Sequence, residues 1–173
     1  MSYGSISQPE GPVEAWPIVT SDGVEWYVAP VYVAPVARKD LLSICDAWGC
    51  EVPTKNLVDD IWRAADLRLD PSRLMRWPND IPNGRSEEAY AKQKRAIEAR
   101  IGGQDFTLLA GSHKDFVAIG TRYDLYGWHL LTGALVEKGA TSHDEHYVDY
   151  SQGLRLVRRV VQPRPHHCVQ ELP

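Results

Sequence analysis

The hydrophobic period changes once along this chain, and that change constrains the fold more than any single motif. Between residues 41 and 101 apolar side chains recur every three to four positions; between 106 and 161 they alternate or form short β-branched runs. Helices first and sheet second predict an α+β domain, with N-terminal helices followed by a mostly antiparallel C-terminal sheet. Leu41, Ile44, Cys45 and Trp48 make the stripe of a first helix, stopped by Gly49. Thr54 can cap a second helix, with Leu57, Val58, Ile61, Trp62 and Ala65 on its apolar face, Asp59 and Asp60 in its early turns and Asp70-Pro71 as its end. A third helix runs from Ser86 to about Arg100 and stops at Gly102-Gly103; its thin apolar face, Tyr90, Ile97 and Ile101, suits the surface. Residues 106–110, 116–119, 123–131 and 154–161 read as strands, and Thr132-Gly133 as the turn of a hairpin.

Punctuation by proline and glycine sets the expected boundaries. Residues 1–26, with Pro9, Pro12 and Pro17, read as an irregular arm that Trp16 and Ile18 could anchor. A single domain is expected over residues 27–162, and an irregular tail over 163–173. The tandem Tyr27-Val28-Ala29-Pro30-Val31 and Tyr32-Val33-Ala34-Pro35-Val36 reads as an edge strand or polyproline-like segment, and Trp77 to Gly84 as a loop. A chain of 173 residues can bury roughly 70% of its unfolded surface, so it needs no covalent staples. The net charge of −4 argues against nucleic acid as the main partner. Arg155, Arg158 and Arg159 read as a solvated face. The three cysteines, Cys45, Cys50 and Cys168, do not make a disulfide framework. No run reaches the ~18 apolar residues of a membrane span, and the first residues lack a signal-peptide pattern. The expectation is a protein that is cytoplasmic as synthesised, or one that is virion-associated or released.

Residues able to do chemistry gather between Lys114 and Val161. His129 follows Trp128 in a strand, so it faces away from Trp128: either a histidine on the solvent face, or a base or metal ligand on the floor of a cleft. His143-Asp144-Glu145-His146 has metal-ligand side chains, but its histidines are three apart in a loop rather than four apart on a helix, which leaves metal binding open. Asp149 and Ser151 share a face of an extended segment and suit either a nucleophilic site with a histidine or a network that fixes the turn before Gly153. Cys50 precedes the Thr54-capped helix, where a thiol can have a lowered pKa. The order Cys50 before His129 or His146, with Asp149 orienting, is also that of papain-like cysteine hydrolases; the alternative is a small buried thiol. Lys114-Asp115 reads as an anion anchor with its carboxylate, or as an exposed ion pair. No phosphate-binding glycine loop or dinucleotide fingerprint is present, and no cofactor is assigned.

Three ordered segments carry a resemblance. They are Gly49-Cys50-Glu51-Val52-Pro53-Thr54 with the helix start to Trp62, then Lys114-Asp115-Phe116-Val117 leading to Tyr126-Gly127-Trp128-His129, and finally His146-Tyr147-Val148-Asp149-Tyr150-Ser151-Gln152-Gly153-Leu154-Arg155-Leu156-Val157. Over residues 27–161 the chain resembles a group of bacterial and phage-associated proteins that has no established activity. Some of its members stand in cell-wall contexts, which implies action on the envelope. The group's closing motif carries histidine where this chain has Gln152, so a catalytic role for that position would be impaired here and a hydrogen-bonding role would survive.

The expected function is a hydrolase of an envelope polymer, most naturally peptidoglycan. His129 or His146 would be the general base, Asp149 its orienting carboxylate, Ser151 or Cys50 the nucleophile, and Lys114 a support for developing negative charge. The alternative is a non-enzymatic phage virion or accessory protein, whose partners are virion neighbours rather than a polymeric substrate. An enzyme requires those groups to converge in one hollow; a structural or interaction module requires them to pair off separately.

Overall fold

The computed structural model describes residues 9–72, 84–140 and 143–161 and has the expected α+β architecture. Helix α1 spans Leu41–Trp48 and ends on Gly49, whose φ of 59° is left-handed. Helix α2 spans Lys55–Ala64, and Thr54 Oγ1 accepts the Leu57 N–H at 3.3 Å. It stops well before Asp70-Pro71. Ala65 turns out of the helix, and Asp66 accepts the backbone N–H groups of Thr107 and Leu108, each at 2.8 Å. That pull starts strand β3, Leu67–Arg68, which pairs in parallel with β4, Leu109–Ala110. Helix α3 spans Glu87–Ile101, capped by Ser86 at 3.2 Å to Ala89 N and stopped at Gly102.

The N-terminal residues correct the expectation of an irregular arm to residue 26. Val13–Ala15 form a 3-10 turn with Val13 and Trp16 buried. Strands β1, Ile18–Ser21, and β2, Val24–Val28, then pair as an antiparallel hairpin. Its turn is Asp22-Gly23, with φ of 50° and 75°; Asp-Gly at both left-handed positions is a strong local hairpin signal. Strand β9, Val157–Arg159, extends this sheet in the order β1-β2-β9. In the tandem segment, Tyr27 and Val28 complete β2, and Val33 then makes an isolated bridge to Leu154. The tail at 163–173 and most of the Trp77–Gly84 loop lie outside the described residues.

The second sheet has the order β7-β6-β5-β8, from Leu135–Ala140, Arg122–His129, Lys114–Ile119 and Gln152–Gly153. Only its β5–β8 pair is parallel. The turn at Thr132-Gly133 joins β6 to β7 as expected. A register shift lies between Leu125 and Gly127, and both Gly127 and Trp128 have positive φ, at 87° and 51°. This bulge re-aims the end of β6.

Helix α2 is wedged between the two sheets. Leu57, Ile61 and Trp62 pack with Val19, Trp26 and Val28, while Val58 meets Val117 and Tyr126. Helix α1 closes a separate cluster with Trp16, Cys45, Phe116, Leu125 and Leu154. Each fully buried aliphatic side chain here stabilises the fold by roughly 1.5–3 kcal/mol relative to exposure. Among the described residues no helix is long and apolar enough to cross a membrane.

Candidate functional site

The bulge turns His129 onto α2. Its Nε2 lies 2.9 Å from Asp59 Oδ1, and Tyr126 Oη donates to both Asp59 oxygens at 3.1 Å. The imidazole stacks on Trp62, with centroids 5.0 Å apart and planes 12° apart. His129 is 5% exposed, so it is neither on a solvent face nor open in a cleft. Burial holds its pKa below the ordinary value, against the pull of the Asp59 hydrogen bond. Gly127 makes this packing possible: a Cβ there would lie 3.2 Å from Val58 Cγ1, 3.4 Å from Asp115 Oδ2 and 3.7 Å from His129 Cε1.

Asp149 and Ser151 do come together. Asp149 Oδ1 accepts Ser151 Oγ–H at 2.6 Å and Ser151 N–H at 2.8 Å, and Tyr147 Oη–H donates to Oδ2 at 3.2 Å. This pair sits at the approach to β8, and β5 separates β8 from β6, which carries His129. The structure therefore corrects the expected pairing of His129 with Asp149. Strand order is the physical reason: neighbouring strands are about 4.8 Å apart, so an intervening strand takes the two groups out of hydrogen-bond reach. Ser151 is 2% exposed, and its hydroxyl proton is already committed.

The other expected members are also dispersed. Lys114 Nζ lies 3.7 Å from Glu137 and 5.2 Å from the Trp128 ring centroid, so its partner is not Asp115. His146 is exposed beside Glu145, at 3.4 Å. His143 stacks on Tyr147 at 3.7 Å between centroids. Among the described residues no group of three His, Cys, Asp or Glu side chains is placed to hold a metal. Cys50 follows the left-handed Gly49, its N–H bonded to Cys45 O, and is buried in the α1 cluster. Burial pushes its thiol up to about 11, the reverse of activation, although Arg158 pulls the other way.

Arg155, Tyr32, Asp115 and His113, of which the sequence patterns singled out only Asp115 as a candidate for chemistry, form a continuous buried network. Arg155 is fully buried rather than on a solvated face; its guanidinium lies 3.8 Å from the Tyr32 ring centroid and donates to the carbonyls of Ala29 and Leu109. Tyr32 Oη–H donates to Asp115 Oδ2 at 3.1 Å. Burial raises Asp115 to about 7, against Arg155 and the Tyr32 hydrogen bond. The His113 ring lies tilted against Tyr32, with centroids 5.3 Å apart and planes at 51°, and its Nδ1 lies 3.0 Å from Ser112 Oγ. Burial first and Arg155 second lower His113 to about 3, opposed by Asp149. Asp149 acts electrostatically on both His113 and His143, rather than on the expected His129 or His146. The available signal for His113 was its place directly before Lys114-Asp115.

Tyr32 and His113 of this network also line a cleft beneath α3. Tyr32, Pro35, Tyr90, Ile97, His113 and Tyr150 line it. Gln93, a lining residue that is 2% exposed, donates from Nε2 to Ser112 O at 2.9 Å. Gln93 Oε1 has no hydrogen-bond partner among the described residues. Lys94 and Glu98 also line the cleft, with Nζ and Oε1 3.7 Å apart. The recess is mostly apolar with a few polar groups at its edge, a composition that ligand sites share. Comparison with known protein families, curated proteins and solved structures finds no match to this chain.

Proposed function

We propose that this protein is a binding module whose working surface is the cleft beneath α3. The observation that supports this most is the separate pairing of the chemically capable groups. His129 is held by Asp59, Asp149 holds Ser151, Lys114 faces Glu137, and the Cys50 thiol is buried. The cleft instead presents aromatic rings and aliphatic side chains. A nucleophilic site needs a base within reach of the nucleophile and room for substrate at both. Such a module matches an accessory or virion protein whose role is recognition.

One contact favours a second reading, a hydrolase of an envelope polymer such as peptidoglycan. The Asp149–Ser151 hydrogen bond of 2.6 Å would suit a serine held for activation, and Asp149 is near enough to His113 to act on it electrostatically. Zymography on purified cell walls separates the two. The binding reading expects no clearing by wild type over a broad range of pH and added divalent metals. Clearing that disappears in Ser151→Ala and His113→Ala, with both variants folded by circular dichroism, would overturn it.

A further inference from the structure

Away from the cleft, the end of α1 brings two thiols together. Gly49 N–H donates to Asp46 O at 3.1 Å, and Cys50 N–H donates to Cys45 O at 2.9 Å. With Gly49 left-handed, these are the two bonds of a Schellman motif, in which the residues at the positions of Cys45 and Cys50 commonly touch through their side chains. Apolar residues usually make that contact; here both are buried cysteines of one cluster, and both are free thiols. Burial raises the Cys45 thiol, and the Cys50 thiolate, next in effect, raises it further. Standard backbone dimensions leave no more than about 6.8 Å between the Cα atoms of two residues joined by such a hydrogen bond, and less where the path bends. A disulfide takes Cα separations of about 4.4–6.8 Å.

The main chain around the pair is held. Glu51 N–H donates to Val157 O at 2.7 Å and Glu51 O accepts Val157 N–H at 3.2 Å, so β9 fixes the residue that follows Cys50. Cys50 Sγ makes a weak hydrogen bond to Trp48 O at 3.5 Å, which a turn about one side-chain bond releases. We infer that Cys45 and Cys50 form an oxidisable dithiol, which a low-molecular-weight disulfide such as oxidised glutathione closes into an intramolecular disulfide across the end of α1. Two exchanges balance the reaction. Cys50, as thiolate, attacks glutathione disulfide; a bond forms from its sulfur to one glutathione, and the other leaves as a thiolate that takes up the proton Cys50 released. Cys45, as thiolate, then attacks Cys50 Sγ; the protein disulfide forms, and the second glutathione leaves and is protonated in turn. Two protein thiols are oxidised, and one glutathione disulfide is reduced to two thiols. Burial raises both protein thiols, but Cys50 is the more exposed and Arg158 favours its thiolate, so Cys50 reacts first. Closure is slow, because it waits for transient opening of the turn.

Both cysteines lie in one tryptic peptide, Asp40 to Lys55, which does not contain Cys168. The test brings the full-length protein to equilibrium with reduced and oxidised glutathione in varied ratio at mildly alkaline pH, from the reduced and from the oxidised chain, with and without urea. Acid quenching and peptide mass mapping then read the products. Peptide 40–55 is expected to become lighter by two hydrogens as oxidised glutathione is increased. The equilibrium constant for that change is expected to be about tenfold or more larger in the folded protein than in urea, because the native turn already holds the two sulfurs close. An equal or smaller constant in the folded protein would overturn the inference. So would a peptide 40–55 that keeps both thiols, or that carries glutathione or a link to Cys168 in place of the closed ring.

Discussion

His113 and Asp115 lie two residues apart and are both held uncharged by burial, one by losing a proton and the other by keeping it. Their contributions to stability run in opposite directions with pH. His113 has an ordinary value of 6.5 and a folded value of about 3, so its share is complete above 6.5 and is lost as the pH falls toward 3. Asp115 has an ordinary value of 3.8 and a folded value of about 7, so its share is complete below 3.8 and is lost as the pH rises through 7. Urea denaturation at stepped pH should therefore separate them. Between about pH 4 and 6.5, Asp115→Asn is expected to make stability rise with pH, and His113→Gln to make it fall. Two variants with slopes identical to wild type would show that neither group is held uncharged. A second outcome belongs at this scale. With their thiols raised to about 12 and about 11, Cys45 and Cys50 are expected to escape iodoacetamide at neutral pH in the folded protein, as read by peptide mass mapping. Rapid labelling of Cys50 would contradict its burial. For Cys50 the sequence left two readings open, an activated thiol and a small buried one, and the structure has the buried one. Cys50 precedes a capped helix, which suggests activation, but desolvation outweighs the helix end, and only the packing around Gly49 reveals it.

At the scale of single elements, the sequence was most legible where the deciding contacts are local. Thr54 and Ser86 bond amides three residues on, and Gly49 and Gly102 end their helices in the left-handed region. These are short-range signals that survive without knowledge of the fold. Thr54→Ala is expected to cost about 1 kcal/mol in urea denaturation, by leaving the Leu57 N–H without its cap. A cost near zero would mean that the packing of α2 between the sheets dominates its N-terminus. The end of α2 was not legible, because Asp66 is captured by Thr107 and Leu108, some forty residues away. The hairpin at Asp22-Gly23 was legible in principle, and the prolines around it drew the reading toward an arm. The bulge at Gly127 was hidden, since Tyr126-Gly127-Trp128-His129 reads as plain alternation. Gly127→Ala is expected to destabilise the protein by about 1 kcal/mol or more, through the positive φ and a 3.2 Å approach to Val58. It should also disturb the His129 ring resonances by NMR; an unchanged His129 spectrum would separate the glycine from the His129–Asp59 contact.

For the whole molecule, the α+β class followed from the order of the two hydrophobic periods, and the partners of the polar residues did not. His129 and Asp59 are 70 positions apart, and Arg155 reaches Ala29 across 126. Contacts of that separation are fixed by strand order and by which helix covers which sheet. The chemically capable residues gather in the last third of the chain, yet their partners come from α2, from the segment at Tyr32 and from one another. The cleft is likewise a product of tertiary assembly: α3, residues 31–35 and residues 109–113 each supply one wall. The thin apolar face of α3 is the trace it left in the sequence, because Ile97 and Ile101 look into the recess.

The central proposal is that this protein works through the cleft beneath α3. The most direct measurement is amide shift mapping of the folded protein against a chemically mixed small-molecule collection. Perturbations are expected to cluster on residues 31–35, 90–101 and 109–113 and to vanish in Ile97→Trp. Perturbations centred on Asp59 and His129, or on Asp149 and Ser151, that persist in Ile97→Trp would contradict it.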